Sequence, residues 1–348
     1  MKAYMLDEPG KLRLGEAEVP RIGPGQVLLR SRRVGVCVSD VYYYRGMARP
    51  PRWPVTPGHE LLGEVVESRH PEVRVGDRMV YWGQTEFDGL AEYRAIKPIL
   101  PHIPDDAPWR DHRGFYDASG AAAVVLDPRL PSDIATMLEP MCSVLRTLLA
   151  IPPKPGDSAL VVGAGPIGLI TLQILKQHQA CRSVTVIEKD PVRLEVARRL
   201  GADHVFRGHA DKEALEQLVI DSDGSHVQYV FDTLSYVEDE VRALSMGLLC
   251  PGGTYIIFGS TERPQAIDTW PILSKGLAMR SVPFDVRGYP MHHSACAMAL
   301  GQRLLLHGLV SVSELISRTI DFEDVEAVRS SFEHYGRGGA LKTVVRLP

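Results

Sequence analysis

The stretch that most constrains this chain runs from Ser158 to Asp190. SALVVGAG reads as a short apolar strand, Ala159 to Val162, feeding a turn in which Gly163, Gly165 and Gly168 stand in G-x-G-x-x-G spacing. The apolar run from Ile167 to Leu175 reads as a buried helix. A second strand, Val184 to Ile187, ends on Glu188, twenty residues after Gly168. Each part has a physical job in holding a dinucleotide. The first glycine permits the tight turn, the second lets the backbone approach a pyrophosphate, and the third lets helix and strand pack closely. The helix N-terminus, at Pro166 and Ile167, offers unsatisfied N–H groups and positive dipole to phosphate. Glu188 is placed to accept hydrogen bonds from ribose hydroxyls and to repel a 2′-phosphate. That favours NAD over NADP, although the adjacent Lys189 pulls the other way; Arg193 completes the candidate cofactor contacts.

Beyond Glu188 the alternation of strand and helix continues. RLEVARRLGA reads as an amphipathic helix stopped by Gly201, YVFDTL and GGTYIIFGS as further strands, and LAMRSVPF as the last of the series. Such alternation implies a doubly wound parallel sheet with ligand at the carboxyl ends of its strands. Residues 1 to 100 read differently. Short runs such as Gln26–Ser31, Glu60–Val66 and Arg78–Tyr81 are separated by Gly/Pro/Asp punctuation, which implies an antiparallel β domain. The segment 101–137, with its AAAVVL run, fits a surface lobe, a lid or an oligomer contact. IATMLEPMCSVLRTLLAI has helical spacing broken at Pro140. The tail carries helix candidates at His292–His307 and Asp324–Tyr335 and a final strand, KTVVRL. A nucleotide unit in mid-chain then suggests an insertion. Residues 1–150 with 289–348 form one domain, and 151–288 form the other.

Composition excludes several classes. At 348 residues and a net charge of −4, from 39 basic and 43 acidic residues, the chain has no nucleic-acid footprint. It shows neither an apolar leader nor an apolar run of membrane length, so no membrane association is expected. Five scattered cysteines, never in C-x-x-C spacing, point to a reducing cytoplasm and away from a four-cysteine zinc site.

Two clusters in the first hundred residues have metal-ligand chemistry. Gly35-Val36-Cys37-Val38-Ser39-Asp40 offers a thiol with a hydroxyl two residues on, and Gly58-His59-Glu60 sets imidazole beside carboxylate. Thiolate, imidazole and carboxylate together suit Zn²⁺ and poorly suit Mg²⁺ or Ca²⁺. Taken with PGHELLGEVVE, VGDRMV, DGLAEY, MLEPMCSV and VVGAGPIGL, GVCVSD makes the whole chain resemble the zinc-dependent medium-chain dehydrogenase/reductase superfamily. The resemblance is strongest to the sorbitol-like polyol and threonine dehydrogenase branch. It implies a GroES-like β-rich catalytic domain beside a Rossmann domain, NAD, and one catalytic Zn²⁺ per chain. Cys37 and His59 would ligate the ion, with Glu60 and Glu139 as exchangeable carboxylate ligands, and Ser39 would start the proton relay. Cys142 reads as a core residue. The resemblance further implies a homodimer or homotetramer joined through the edge strand at Leu277–Phe284.

Four departures stand out. Val38 replaces the family's usual glycine, where a β-branched residue disfavours positive φ. Tyr42 stands where related enzymes carry a histidine, and a phenol with pKa near about 10 is a poor base at neutral pH. Residues 82–88 stand in place of the four-cysteine lobe, so no structural zinc is expected, and the 105–133 connection is long. The leading expectation is NAD-linked oxidation of a secondary alcohol in a small polar substrate, or the reverse. The alternatives are a zinc-free NADPH quinone or enoyl reductase, which Cys37, His59, Glu60 and Glu188 oppose, and a dinucleotide-binding protein without turnover, which Val38 and Tyr42 alone favour.

Overall fold

The computed structural model is described for all residues except 51, 84–87, 103–119, 222–225, 236–237, 260–264 and 284–288. The chain divides into two compact units, Met1–Arg146 with Pro283–Pro348, and Thr147–Val282.

The first unit is built on an eight-stranded sheet. Its order is Ile316–Asp321, Lys342–Arg346, Val27–Gly35, Glu60–Ser68, Arg78–Trp82, Ala121–Val125 and Pro98–Ile99, with Tyr93–Ile96 also pairing with Val27–Gly35. Every pairing among the strands before residue 97 is antiparallel. Two later pairings are parallel, Ile316–Asp321 on Lys342–Arg346 and Pro98–Ile99 on Ala121–Val125. The AAAVVL run, for which sequence allows a lobe, a lid or a contact, is a strand inside the sheet: Ala121 to Val124 are buried, and the strand pairs with Arg78–Trp82. Most of the remaining long connection, 103–119, lies outside the described residues, as do 84–87 of the expected lobe replacement.

Apolar alternation explains the core of this unit. Leu29, Leu61, Val65, Met79 and Tyr81 project from the central strands and are essentially inaccessible. Tyr4 closes the core from the N-terminal strand pair. Its ring meets Phe322 edge-on at 5.1 Å, and its hydroxyl donates to the Phe322 carbonyl at 2.7 Å. The pairing register gathers the donor-bearing residues. Gly35 stands opposite Glu60 and Val344 opposite Gly35, so Cys37, His59 and Lys342 all fall at one end of three adjacent strands.

The second unit has a six-stranded, all-parallel sheet. Its order is His204–Phe206, Ser183–Ile187, Ser158–Val162, Val227–Asp232, Leu249–Ile257 and Ala278–Arg280. In chain order within the unit this is 3-2-1-4-5-6, the doubly wound arrangement, with its winding reversed between Ser158–Val162 and Val227–Asp232. Gly201, at φ 100°, ends the Pro191–Arg199 helix as the sequence pattern requires.

The chain from Ile134 to Ile151 departs from expectation. Pro140 does not break the helix, which runs Leu138–Ala150 and holds the proline in its first turn, where a missing N–H costs nothing. The interruption lies earlier, between Ser132–Ala135 and Leu138.

Candidate metal centre and dinucleotide cradle

Cys37 is the N-cap of the Val38–Tyr44 helix. Val38 opens that helix with ordinary right-handed backbone, so the missing family glycine leaves no strain: the described non-glycine residues at positive φ do not include it. His59 follows Gly58, whose φ of 101° and close approach to Leu90 N and Val34 Cγ1 leave no room for a side chain. The DGLAEY motif clamps this turn from outside. Gly89 N donates to Gly58 O at 2.8 Å and Leu90 N to Pro57 O at 2.9 Å. Gly35 serves a different purpose. A Cβ there would collide with Glu60 Oε2, so the glycine makes space for that carboxylate.

These constraints bring one donor atom each from Cys37, His59 and Glu60 within 4.8 Å of one another. Asp40, wholly buried, ties the two loops together. Its Oδ2 accepts from Cys37 N at 3.1 Å, and its Oδ1 accepts from Gly58 N at 2.8 Å and stands 3.4 Å from His59 Nδ1. With Nδ1 turned to Asp40, Nε2 is the nitrogen left for an ion. Burial works against a charged His59, yet the Asp40 carboxylate and the Cys37 sulfur outweigh it and hold the imidazole well above its usual range. A cation on this ring would displace that proton.

No sequence motif marks Lys342. It is buried, and its Nζ donates to Glu60 Oε1 at 2.5 Å and to Val36 O at 3.2 Å. Burial works against the ammonium, but the Glu60 carboxylate more than compensates and raises Lys342 above the usual lysine range. Glu60 Oε2, on the other side of the carboxylate, is buried with no hydrogen-bond partner among the described residues. An orphaned carboxylate oxygen beside a sulfur and an imidazole is a donor set that a borderline cation satisfies, so these residues fit zinc.

Glu139, in the first turn of Leu138–Ala150, lies outside the set within 4.8 Å but in the same electrostatic neighbourhood. Burial pushes its carboxyl up to about 8, with the His59 charge pulling it down and Glu60 pushing it further up. Ser39 is half-buried, two residues after Cys37. Cys142 behaves as core: it is fully buried, its thiol lies 3.3 Å from the Ser294 carbonyl, and burial raises it far above the ordinary thiol range.

In the other unit the glycine loop joins Ser158–Val162 to the Pro166–Gln177 helix. Gly163 has φ 97°, and a Cβ at Gly168 would collide with Gly163 O, which explains the first and third glycines. Gly165 is the N-cap and has ordinary φ of −73°, and a Cβ on it would meet no described atom within 4 Å. Among the described residues nothing crowds that position, and a glycine backbone left open at a helix N-terminus fits the approach of a pyrophosphate. Glu188 is buried beside it, its Oε2 accepting from Ala164 N at 2.9 Å and its Oε1 from Asp190 N at 3.0 Å. Lys189 is exposed and Arg193 half-buried.

Comparison with known proteins bears on both sites. Residues 23–96 match the alcohol dehydrogenase GroES-like domain, and residues 166–289 match the zinc-binding dehydrogenase family. The chain belongs to the zinc-dependent medium-chain dehydrogenase/reductase superfamily. Among its relatives, D-arabitol-phosphate dehydrogenase of Enterococcus avium is 27% identical, over 99% of this chain and 97% of its own. Sorbitol dehydrogenase of Ovis aries is also 27% identical, over 97% and 94%. The alcohol dehydrogenase rspB of Escherichia coli CFT073, solved with NADH, has the same fold, with a TM-score of 0.79 at 22% identity over 99% of each chain. The chain is thus an oxidoreductase of the alcohol dehydrogenase type, with a GroES-like domain and a Rossmann sheet.

Proposed function

We propose that the chain is an NAD-linked dehydrogenase that interconverts a secondary alcohol and a ketone in a small polar substrate: a polyol, sugar alcohol, amino alcohol or hydroxy acid. One zinc ion is held by Cys37 and His59 with a carboxylate from Glu60 or Glu139. The observation that carries this reading is the convergence of sulfur, imidazole and carboxylate within 4.8 Å, with one buried carboxylate oxygen unpaired among the described residues. The polar substrate class is supported by the polyol names of the relatives at 27% identity. The preference for NAD is supported by Glu188 beside the glycine loop and by the NADH-bound neighbour. In domain terms, Met1–Arg146 with Pro283–Pro348 would be the catalytic part and Thr147–Val282 the cofactor-binding part. Five free cysteines support a cytoplasmic setting.

Bound zinc would acidify an alcohol by many pKa units, and oxidised nicotinamide would accept its hydride, so alcohol and NAD⁺ give ketone, NADH and a proton. The chain's own residues do the rest. Asp40, 3.4 Å from His59 Nδ1, favours the ring orientation that presents Nε2. Lys342 neutralises Glu60 from behind and holds Oε1, leaving Oε2 as the available donor. Ser39 takes the proton from the substrate hydroxyl and passes it toward solvent. Water or a ribose hydroxyl ends that relay.

The outer edge of Ala278–Arg280 has no strand beside it among the described residues, and Trp270 and Leu273 are exposed on the helix before it. That supports a homodimer, or a tetramer of dimers, formed along this edge. Metal analysis combined with NAD reduction on a panel of polyols, polyol phosphates and amino alcohols tests the main reading. A protein that takes up no zinc and turns over none of them would end it.

A further inference from the structure

The winding of the Rossmann sheet reverses between Ser158–Val162 and Val227–Asp232, and ligands of such sheets lie outside the carboxyl ends of the strands at that point. Ser158–Val162 runs into the glycine loop. Val227–Asp232 ends in a buried acid that the proposed chemistry does not use. Asp232 is 3% exposed; its Oδ2 accepts from the Tyr255 hydroxyl at 2.9 Å and its Oδ1 from Leu234 N at 3.2 Å. The turn after it is locked onto the glycine loop. Thr233 N and Oγ1 both donate to Val162 O, at 3.1 and 2.7 Å. A Cβ at Gly163 would come within 2.7 Å of Leu234 Cδ2 and 2.9 Å of Thr233 Oγ1. The carboxylate is therefore fixed one residue away from the cradle's own contacts.

A charge in this place is costly. Burial pushes the Asp232 carboxyl up to about 6, and the Tyr255 hydroxyl, Leu234 N–H and Arg242 bring it only part of the way back. The facing groups are Tyr255 on Leu249–Ile257, and Arg242 on Asp239–Gly247. That guanidinium is also engaged by Asp239, Gln265 and the Ala266 carbonyl. Glu188, across the glycine loop, is occupied by the N–H groups of Ala164 and Asp190. At neutral pH the site thus keeps a negative charge at the switch point, held by the Tyr255 hydroxyl and Leu234 N–H. The two redox forms of the cofactor carry the same phosphates, but only the oxidised nicotinamide is cationic.

Resting on the dinucleotide reading of this unit, we propose that Asp232 is a specificity-determining residue whose ionised carboxylate, oriented by Tyr255, biases the site toward the oxidised over the reduced cofactor. Isothermal titration of the full chain with NAD⁺ and with NADH at pH 7.5 tests this. Asp232→Asn is expected to weaken NAD⁺ about fivefold and leave NADH within about twofold, the order of effect of removing one unit charge at an effective dielectric of about 20. In the parent the preference for NAD⁺ should fall as pH drops through about 6, and in Asp232→Asn it should not change. Tyr255→Phe keeps the charge but removes a donor that stabilises it, so its preference should be lost at higher pH than the parent's. This variant and the parent's own pH profile decide the matter if Asp232→Asn does not fold. Equal weakening of both forms, as a loosened turn would produce, or an unchanged ratio, overturns the inference alone. Binding of neither form by the parent overturns the dinucleotide reading and the inference with it.

Discussion

Asp40 touches the Cys37 N–H, the Gly58 N–H and the His59 ring, so one carboxylate joins both donor-bearing loops. Partners of this kind behind a metal ligand change affinity by about 10–100-fold. Asp40→Ala is expected to lower zinc affinity by that amount in competition with a chromophoric chelator; an unaltered affinity would show that the loops hold their shape without it. Lys342 is the other residue on which the centre depends. Removing its charge as Lys342→Met leaves the Glu60 carboxylate buried without its counter-ion, at a cost of about 3–5 kcal/mol in urea unfolding of the metal-free protein. The double variant Lys342→Met with Glu60→Gln should recover most of that loss, which lost packing alone would not allow. The sequence motifs name Cys37, His59 and Glu60 directly. Lys342 escapes them because it is 282 residues from Glu60, and only the strand register brings the two together.

At the scale of elements, local pattern and tertiary context share the control. The glycine loop, its helix and its flanking strands follow from their own residues, whereas Ala121–Val125 carries no alternation and becomes a strand because Arg78–Trp82 offers it an edge. His226, just before Val227–Asp232, shows what such packing does to a titratable group. Burial first, then the nearby His204 and Arg182 charges, lower it to about 4. Its folded value lies below the unfolded value near 6.5, so its contribution is complete above about 6.5 and is lost as pH falls toward about 4. Relative to the parent, His226→Gln should therefore gain up to about 3 kcal/mol of unfolding free energy between pH 7.5 and pH 4. Denaturant melts at the two pH values measure this. An equal pH dependence in both proteins would assign the acid sensitivity elsewhere. Asp232 acts in the opposite sense, since its raised value costs stability as pH rises through about 4 to 6, which is why the comparison is made between variants.

For the whole molecule, the exposed apolar residues ask for a partner. Leu273 is 76% exposed and Trp270 67%, on the helix that leads to the open edge strand. The parent should sediment as a dimer or tetramer, and Leu273→Asp should shift it toward monomer with little change in melting temperature. A parent that is already monomeric would remove the edge as an interface.

Periodicity, glycine spacing and turn chemistry were enough to read a doubly wound unit set into a β-rich one, because those signals act within a few residues of the backbone they shape. Cys37, His59 and Glu60 could be named as a donor set for the same reason. The distances could not be, since they depend on register between strands far apart in the chain. Only the folded sheet stations Lys342 behind Glu60, leaves the other Glu60 oxygen unpaired among the described residues, and keeps Glu139 out of the three-donor set. Electrostatics among buried groups is a property of separation and desolvation, and neither exists until the chain has folded.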